Sequence, residues 1–243
     1  CPYCYARKLA NGRLKQRYLA NDNVAIKLKL SPPAESLKSA LVVREALEDP
    51  FYPRFWSERL KELQPIGGLV CEMVYPPKTP KGIFVCDMSD LFGIGIPEQW
   101  TQAVLSMIKK WPAHRFYLLT KQPQNLIKFS PFPENCWVGV TVTNHKAQCE
   151  ALNYLREVKA KVKYLSLEPL LNRLDANLFL TDLTTRNINW VIIGAQTKPT
   201  VYPKIEDVEE IVRACDKAGV KVFLKDNLRP LLEDDGLNPL YCA

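Results

Sequence analysis

Along the second half of the chain, apolar residues come in short bursts, and each burst runs into polar or conformationally special residues. Ile83-Phe84-Val85-Cys86 leads into Asp87-Met88-Ser89-Asp90, and Phe116-Tyr117-Leu118-Leu119 into Thr120-Lys121. Trp137-Val138-Gly139-Val140-Thr141-Val142 is followed by Thr143-Asn144, and Tyr164-Leu165-Ser166-Leu167 by Glu168-Pro169. Trp190-Val191-Ile192-Ile193 leads into Gly194-Ala195-Gln196, and Val222-Phe223-Leu224 into Lys225-Asp226. Between the bursts the period changes to that of a helix. Trp100, Ala103, Val104, Met107 and Ile108 share one helical face behind Pro97, a residue suited to a first turn. A short helix is expected after Pro123, and Ala151, Leu152 and Leu155 mark another. Val208, Ile211, Val212 and Cys215 mark one more, closed by Gly219. Short buried strands separated by helices predict a parallel sheet with crossover connections.

The polar strand ends choose between an open sheet and a barrel. Ser89, Asp90, Lys121, Thr141, Asn144, Glu168, Gln196 and Lys225 all fall at or just past a predicted strand. A barrel brings such ends to one mouth, where enzymes of that architecture place their sites. No G-x-G-x-x-G follows the first strand to favour a dinucleotide fold. The expected fold class is therefore α/β, a full or partial (β/α) TIM-type barrel of parallel strands forming one domain over residues 1–243.

The first third of the chain is less regular. A helix is expected over residues 5–20, weakened at Gly12, and a short strand over 24–30, where Val24, Ile26, Leu28 and Leu30 alternate. Pro32-Pro33 breaks the chain before a helix over residues 34–47. Phe55, Trp56, Leu60 and Leu63 stand at helical spacing within 51–63, and Pro76-Pro77 and Pro80 mark a turn. Residues 31–81 read as an elaborated insertion before the regular repeats of 82–228.

Composition adds bounds. At 243 residues, 47% hydrophobic and 24% charged, the chain can bury a sizeable core, and no apolar run nears the length of a membrane span. Cys71, Cys86, Cys136, Cys149, Cys215 and Cys242 are scattered through mostly apolar surroundings and read as structural thiols, in a reducing, cytoplasmic setting. The net charge is +7, and among residues 1–30 Arg7, Lys8, Arg13, Lys15, Arg17, Lys27 and Lys29 face only Asp22. Such a run suits nucleic-acid phosphates as well as a solvated helix face.

The most chemical stretch is the first, Cys1-Pro2-Tyr3-Cys4-Tyr5-Ala6. Two thiolates three positions apart can ligate zinc or an iron–sulfur cluster, or act as a redox dithiol. Cys-Pro-Tyr-Cys also occurs in glutaredoxins, whose domain is much shorter and needs a proline motif that Thr200-Val201-Tyr202-Pro203 does not match. A zinc module needs two further ligands at metal spacing, and the only histidines are His114 and His145.

Placed ahead of the strand-end motifs, this stretch resembles the radical S-adenosylmethionine (SAM) superfamily. The resemblance is closest to its uncharacterised phage-type branch, related to spore photoproduct lyase-like proteins. It is carried by Cys1-Pro2-Tyr3-Cys4-Tyr5-Ala6, Met88-Ser89-Asp90-Leu91-Phe92, Leu119-Thr120-Lys121-Gln122-Pro123 and Trp137-Val138-Gly139-Val140-Thr141-Val142. Ser166-Leu167-Glu168-Pro169-Leu170-Leu171, Trp190-Val191-Ile192-Ile193-Gly194 and Phe223-Leu224-Lys225 complete it, in the family's order and with similar gaps. The resemblance implies that Cys1 and Cys4 are the last two ligands of a three-cysteine [4Fe-4S] motif, the first lying a few residues upstream; residue 1 being Cys rather than Met reads as a truncated or processed start. It further implies that SAM chelates the open iron, and that an external electron donor drives its cleavage to methionine and a 5′-deoxyadenosyl radical. That radical abstracts hydrogen from a substrate. The cofactors carry the chemistry, and the protein orients them.

By the same resemblance Tyr3 lies near the adenine. Chemistry assigns the other candidates. Lys121 suits the SAM carboxylate, Asp90 or a carbonyl near Ser89 the ammonium, and Ser166, Glu168 or Thr141 the ribose hydroxyls. Gly194 permits close backbone approach, and Lys225 is a second carboxylate partner or a substrate contact. Each has a plainer structural role: Ser89-Asp90 as a turn cap, Lys121 as a solvated loop lysine, Glu168 as a strand-end acceptor, Lys225 paired with Asp226, and Tyr3 and Tyr5 as packing. Relatives tend to carry Gly-Gly-Glu-Ser-Gly where Gly194-Ala195-Gln196-Thr197-Lys198 stands, so Gln196 replaces a carboxylate. They also tend to carry Lys-Arg-Pro at Lys121-Gln122-Pro123 and Lys-Gln-Trp-Gly at Lys225-Asp226-Asn227-Leu228. A barrel that has lost this chemistry and only binds a partner is the competing reading. The substrate is left open, with the basic start and the photoproduct-lyase kinship weighing toward nucleic acid.

Overall fold

A computed structural model describes residues 5–25, 36–61, 79–185 and 187–234. Its opening helices are α1 (Tyr5–Asn11), α2 (Lys15–Leu19) and α3 (Ser36–Glu48). The regular part follows as β1 (Gly82–Phe84), α4 (Glu98–Lys109), β2 (Arg115–Thr120), β3 (Cys136–Thr141), α5 (His145–Glu157), β4 (Val162–Leu167) and α6 (Ala176–Thr185). It ends with β5 (Trp190–Ile193), a two-stranded hairpin of β6 (Gln196–Thr197) and β7 (Thr200–Val201), α7 (Ile205–Ala218), β8 (Lys221–Leu224) and α8 (Arg229–Asp234).

The six predicted strands form one sheet in the order β1-β2-β3-β4-β5-β8, with every neighbouring pair parallel. Alternation gives the sheet two unlike faces. Phe116 and Leu118, Cys136, Val138 and Val140, Leu165 and Leu167, Val191 and Ile193, and Leu224 point to one side. There they build the core with Ile108, Leu152, Leu155, Phe179, Leu183, Ile211 and Cys215 of the crossover helices. The other face carries Tyr117, Trp137, Tyr164, Trp190 and Phe223. On a flat sheet β2 and β5 stand three strand spacings apart, about 14 Å. The rings of Tyr117 and Trp190 nevertheless lie with centroids 6.1 Å apart, and Trp137 meets both at 5.4 and 5.5 Å. The sheet is therefore curled into a half-barrel, the partial form of the expected (β/α) barrel, with an aromatic cluster across its concave side.

One glycine makes the curl close-packed. The ring of Tyr164 lies over Gly139 on the neighbouring strand, where an added Cβ would come within 2.2 Å of the ring, and its hydroxyl donates to the Leu118 carbonyl one strand further at 3.1 Å. Burial pushes the Tyr164 phenol well above its ordinary range.

Polar side chains that the hydrophobic pattern did not single out tie the helices to the sheet. Asn135 donates to the carbonyls of Ile108, Trp111 and His114 at the end of α4, and the buried His114 accepts from the Lys81 N–H at 3.0 Å. His114 is thereby a structural residue. Lys163 is buried as well, its ammonium on the Leu155 carbonyl at 2.9 Å, and burial lowers its pKa. Cys136 and Cys215 are buried free thiols whose pKa burial raises to about 12, in keeping with a structural reading. Cys71 and Cys242 lie outside the described residues.

The first third departs from the pattern in two places. The helix expected over 5–20 breaks at Gly12 into α1 and α2, because the Leu14 and Gly12 N–H groups both turn back to the Leu9 carbonyl. Residues 51–56 are not helical; only Ser57–Lys61 forms a short 3-10 turn. Pro50 and Pro53 deny this segment helical hydrogen bonds, and Arg54 takes another task. Its guanidinium donates to the carbonyls of Ala46, Leu47, Asp49, Tyr52 and Asn21, closing the end of α3. Val24 makes an isolated antiparallel bridge with Arg54, and the rest of the expected 24–30 strand lies outside the described residues apart from Ala25. No described helix is long and apolar enough to cross a membrane.

Gly139→Ala is expected to displace the Tyr164 ring and to cost about 3 kcal/mol, the upper end of ordinary overpacking, while Tyr164→Phe costs about 1 kcal/mol for its buried hydrogen bond. Urea unfolding of both variants reads this, and equal, small losses would show that the ring moves aside at no cost.

Candidate functional site

Parallel strands end on the same side of a sheet, so the polar residues past β1 to β5 and β8 gather at one rim of the half-barrel. On the concave face Thr141 pairs in register with Ser166, two residues past Tyr164 on β4 and four past Trp137 on β3. Ser166 is buried and its hydroxyl reaches the Glu168 Oε2 at 3.3 Å. Glu168 Oε1 lies 3.0 Å from the Lys225 ammonium, an ion pair joining the ends of β4 and β8 across β5. Gly194, on the strand between, makes room for it: an added Cβ would stand 3.1 Å from Lys225 Cδ and 3.3 Å from Glu168 Oε1. Lys225 is thus paired with Glu168 rather than with Asp226. The Thr141 hydroxyl is buried and makes no hydrogen bond among the described residues. An orphaned hydroxyl beside a half-exposed ion pair is a polar cradle rather than packed core.

The β1 and β2 ends are organised by Asp90. Its Oδ1 accepts from the Phe92 N–H at 3.0 Å, closing a turn, and its Oδ2 accepts from the Thr120 hydroxyl and the Lys121 N–H, each at 2.9 Å. With three donors on two oxygens, Asp90 positions the loop that presents Lys121, and the turn-cap role is realised. The Lys121 side chain is exposed and forms no ion pair among the described residues. Ser89 is exposed beside Cys86, whose backbone has φ 58° and whose thiol burial raises to about 11. Gln196 opens the β6–β7 hairpin and spends its amide on the Pro199 carbonyl at 2.9 Å, inside that hairpin.

Asn227 is a positioning residue that the sequence pattern did not mark. Its side-chain amide donates to the Ala195 carbonyl at 2.8 Å and accepts from the Ala195 N–H at 3.2 Å, fixing the Gly194-Ala195 backbone to the end of β8. Its signal in the sequence is only its place two residues past Lys225. Gln148 on α5 is fully buried and neither end of its amide finds a partner among the described residues; nothing in the hydrophobic pattern separates it from a surface glutamine.

Cys1, Tyr3 and Cys4 lie outside the described residues. The chain just after them is anchored at the same rim, because the Tyr5 hydroxyl donates to the Asp87 carbonyl past the end of β1. Among the described residues no three Cys, His, Asp or Glu side chains converge as a metal site.

Asp90→Ala is expected to lower stability by about 3 kcal/mol, since buried and half-buried donors lose a charged acceptor, whereas Lys121→Ala leaves the unfolding midpoint within about 0.5 kcal/mol of the parent. Denaturant melts of the two variants would reverse the assignment if Lys121 proved the costlier loss.

Among curated proteins and among solved structures, nothing matches the chain. A family match spans residues 1–228, taking in the cysteine stretch, the half-barrel and every strand-end residue described above. The chain belongs to the family described as "Protein of unknown function (DUF5131)".

Proposed function

We propose that the protein is a radical SAM enzyme, with a [4Fe-4S] cluster on Cys1, Cys4 and a third thiolate that the resemblance places upstream. SAM would lie across the strand ends of the half-barrel. The observation that carries this reading is the gathering of Thr141, Ser166, Glu168, Gly194 and Lys225 on four adjacent strands, at the rim where Tyr5 is anchored. These residues fit the ligand's chemistry. The Thr141 hydroxyl has no protein partner among the described residues, Ser166 can donate to or accept from a ribose hydroxyl, Glu168 can accept from one, and Lys225 carries the charge a carboxylate needs. Gly194 leaves the backbone open to close approach.

When bound, the cluster and SAM supply the hard chemistry, reductive SAM cleavage followed by hydrogen abstraction from a substrate, with the electron drawn from an external donor. The protein's own residues bind and orient. Lys225 is half-exposed and its pair with Glu168 is of the cheaply exchanged kind, so it can turn from Glu168 to an incoming carboxylate. Lys121, presented by the Asp90-braced loop, offers a second cation at the opposite side of the rim. The aromatic cluster below forms the floor of the trough, with Tyr164 buried and Tyr117, Trp137, Trp190 and Phe223 half-buried. Gln196 fits less directly, because its amide is engaged in its hairpin.

The central test is made on the native full-length protein, purified without oxygen and reconstituted with iron and sulfide. An EPR signal of a reduced [4Fe-4S] cluster that SAM perturbs, with release of 5′-deoxyadenosine under dithionite, is the expected result, both lost in Cys1→Ala and Cys4→Ala. A cluster that leaves SAM intact would make the protein a binding descendant of the fold. A colourless protein would end the proposal.

A second prediction separates ligand binding from folding. Because the Thr141 hydroxyl is buried without a partner, Thr141→Val should hold or raise stability, yet weaken SAM binding about tenfold, the worth of one good hydrogen bond. Calorimetric titration with SAM alongside a thermal melt reads both. Unchanged SAM affinity would remove Thr141 from the site.

A further inference from the structure

α1, α2 and the turn between them present Arg7, Lys8, Arg13, Lys15 and Arg17, all exposed, and none of the three contains an acidic residue. Lys8, Arg13 and Lys15 form no ion pair among the described residues. Of the acids in residues 45–58, Glu48 pairs with Arg44 at 2.8 Å and Asp49 accepts from the Phe51 N–H at 2.8 Å, while Glu45 and Glu58 are exposed. Asp22 and Asp87 border the surface, Asp87 close enough to Tyr18 to raise its pKa, after the larger effect of burial.

The cations are interleaved with aromatic rings. Arg7 lies over Phe51 at 5.2 Å and Arg17 over Trp56 at 5.5 Å, and Tyr18 meets Trp56 edge-on at 5.6 Å. Tyr5 is 54% exposed although its hydroxyl is fixed on the Asp87 carbonyl, so its side chain is held at the surface. Phosphates meeting lysine and arginine while unpaired bases stack on aromatic faces is the chemistry of single-stranded nucleic-acid binding. A duplex hides its base faces and would use the charges alone.

We infer that the α1–α2 surface binds single-stranded nucleic acid, with backbone phosphates on Lys8, Arg13 and Lys15 and a base on Tyr5. The Tyr5–Asp87 contact sets this surface beside the end of β1, so a strand lying on it passes the rim of the half-barrel. That the strand is also the substrate rests on the radical SAM reading; that it binds does not.

Fluorescence anisotropy with labelled oligothymidylate and oligouridylate tests the binding on the full chain, in the same preparation used for SAM cleavage. Loss of cleavage with binding kept would sink only the enzyme reading, and the reverse only this one. Neutralising three phosphates predicts a log-affinity against log-salt slope of about −2. Lys8→Glu/Arg13→Glu/Lys15→Glu should weaken binding more than about tenfold and flatten that slope, with the matching Gln variant in between. Tyr5→Leu should lose about fivefold or more with the slope unchanged. Melts of each variant report folding, and the Gln series keeps the charges testable if the Glu variant unfolds. The tighter of the two oligomers names DNA or RNA. Absence of binding at low salt, full affinity in the charge variants, or equal affinity for duplex or polyglutamate would each overturn the inference.

Discussion

The ring of Tyr164 crosses Gly139 and reaches the Leu118 carbonyl on the strand beyond, and much of the remaining architecture depends on that contact. A parallel sheet must cover both faces. Here the crossover helices cover the outer one, and the inner one is covered by its own aromatic side chains meeting across the trough. They can meet only if the sheet curls, and they can pack only if the strand between them carries no side chain at one position. Gly139 supplies that gap, so a single missing Cβ and a few large rings set the curvature.

Curvature in turn decides where polar groups can converge. The rings fill one end of the trough, and further toward the strand ends Thr141, Ser166, Glu168 and Lys225 follow on the same side. Gly194 repeats at the rim what Gly139 does in the floor, letting side chains from β4 and β8 touch over β5. Asp90 and Asn227 hold the flanking loops by hydrogen bonds to backbone, with Asp90 placing Lys121 and Asn227 the Gly194-Ala195 turn. Rigid supports around an exchangeable ion pair and an orphaned hydroxyl are what a ligand site needs, since binding then costs little reorganisation. The basic, aromatic-lined α1–α2 pair borders the same rim through Tyr5.

The order of strands and helices from residue 82 onward was written in local pattern. A buried strand shows itself as an apolar burst and a crossover helix by its 3.6-residue period, and both signals are strong when consecutive elements are neighbours in space. The strand-end residues were legible for the same reason, because a parallel topology fixes on which side they emerge. Where side chains act over long sequence distances the pattern was silent. Arg54 closes α3 where its neighbours suggested a helix, Asn135 and His114 lock a helix end to two strands, and Asn227 braces a turn 32 residues away. Each is a polar residue whose partners are backbone groups, and a backbone carbonyl leaves no trace in a sequence.

By itself, then, the sequence determined the parallel β/α order and the side of the sheet on which the polar residues collect. The tertiary structure alone decided that the barrel is a half-barrel, that Lys225 meets Glu168 and not Asp226, and that Asp90 braces a loop. Those outcomes depend on curvature and on which strands become neighbours, and both arise from packing between residues far apart in the chain.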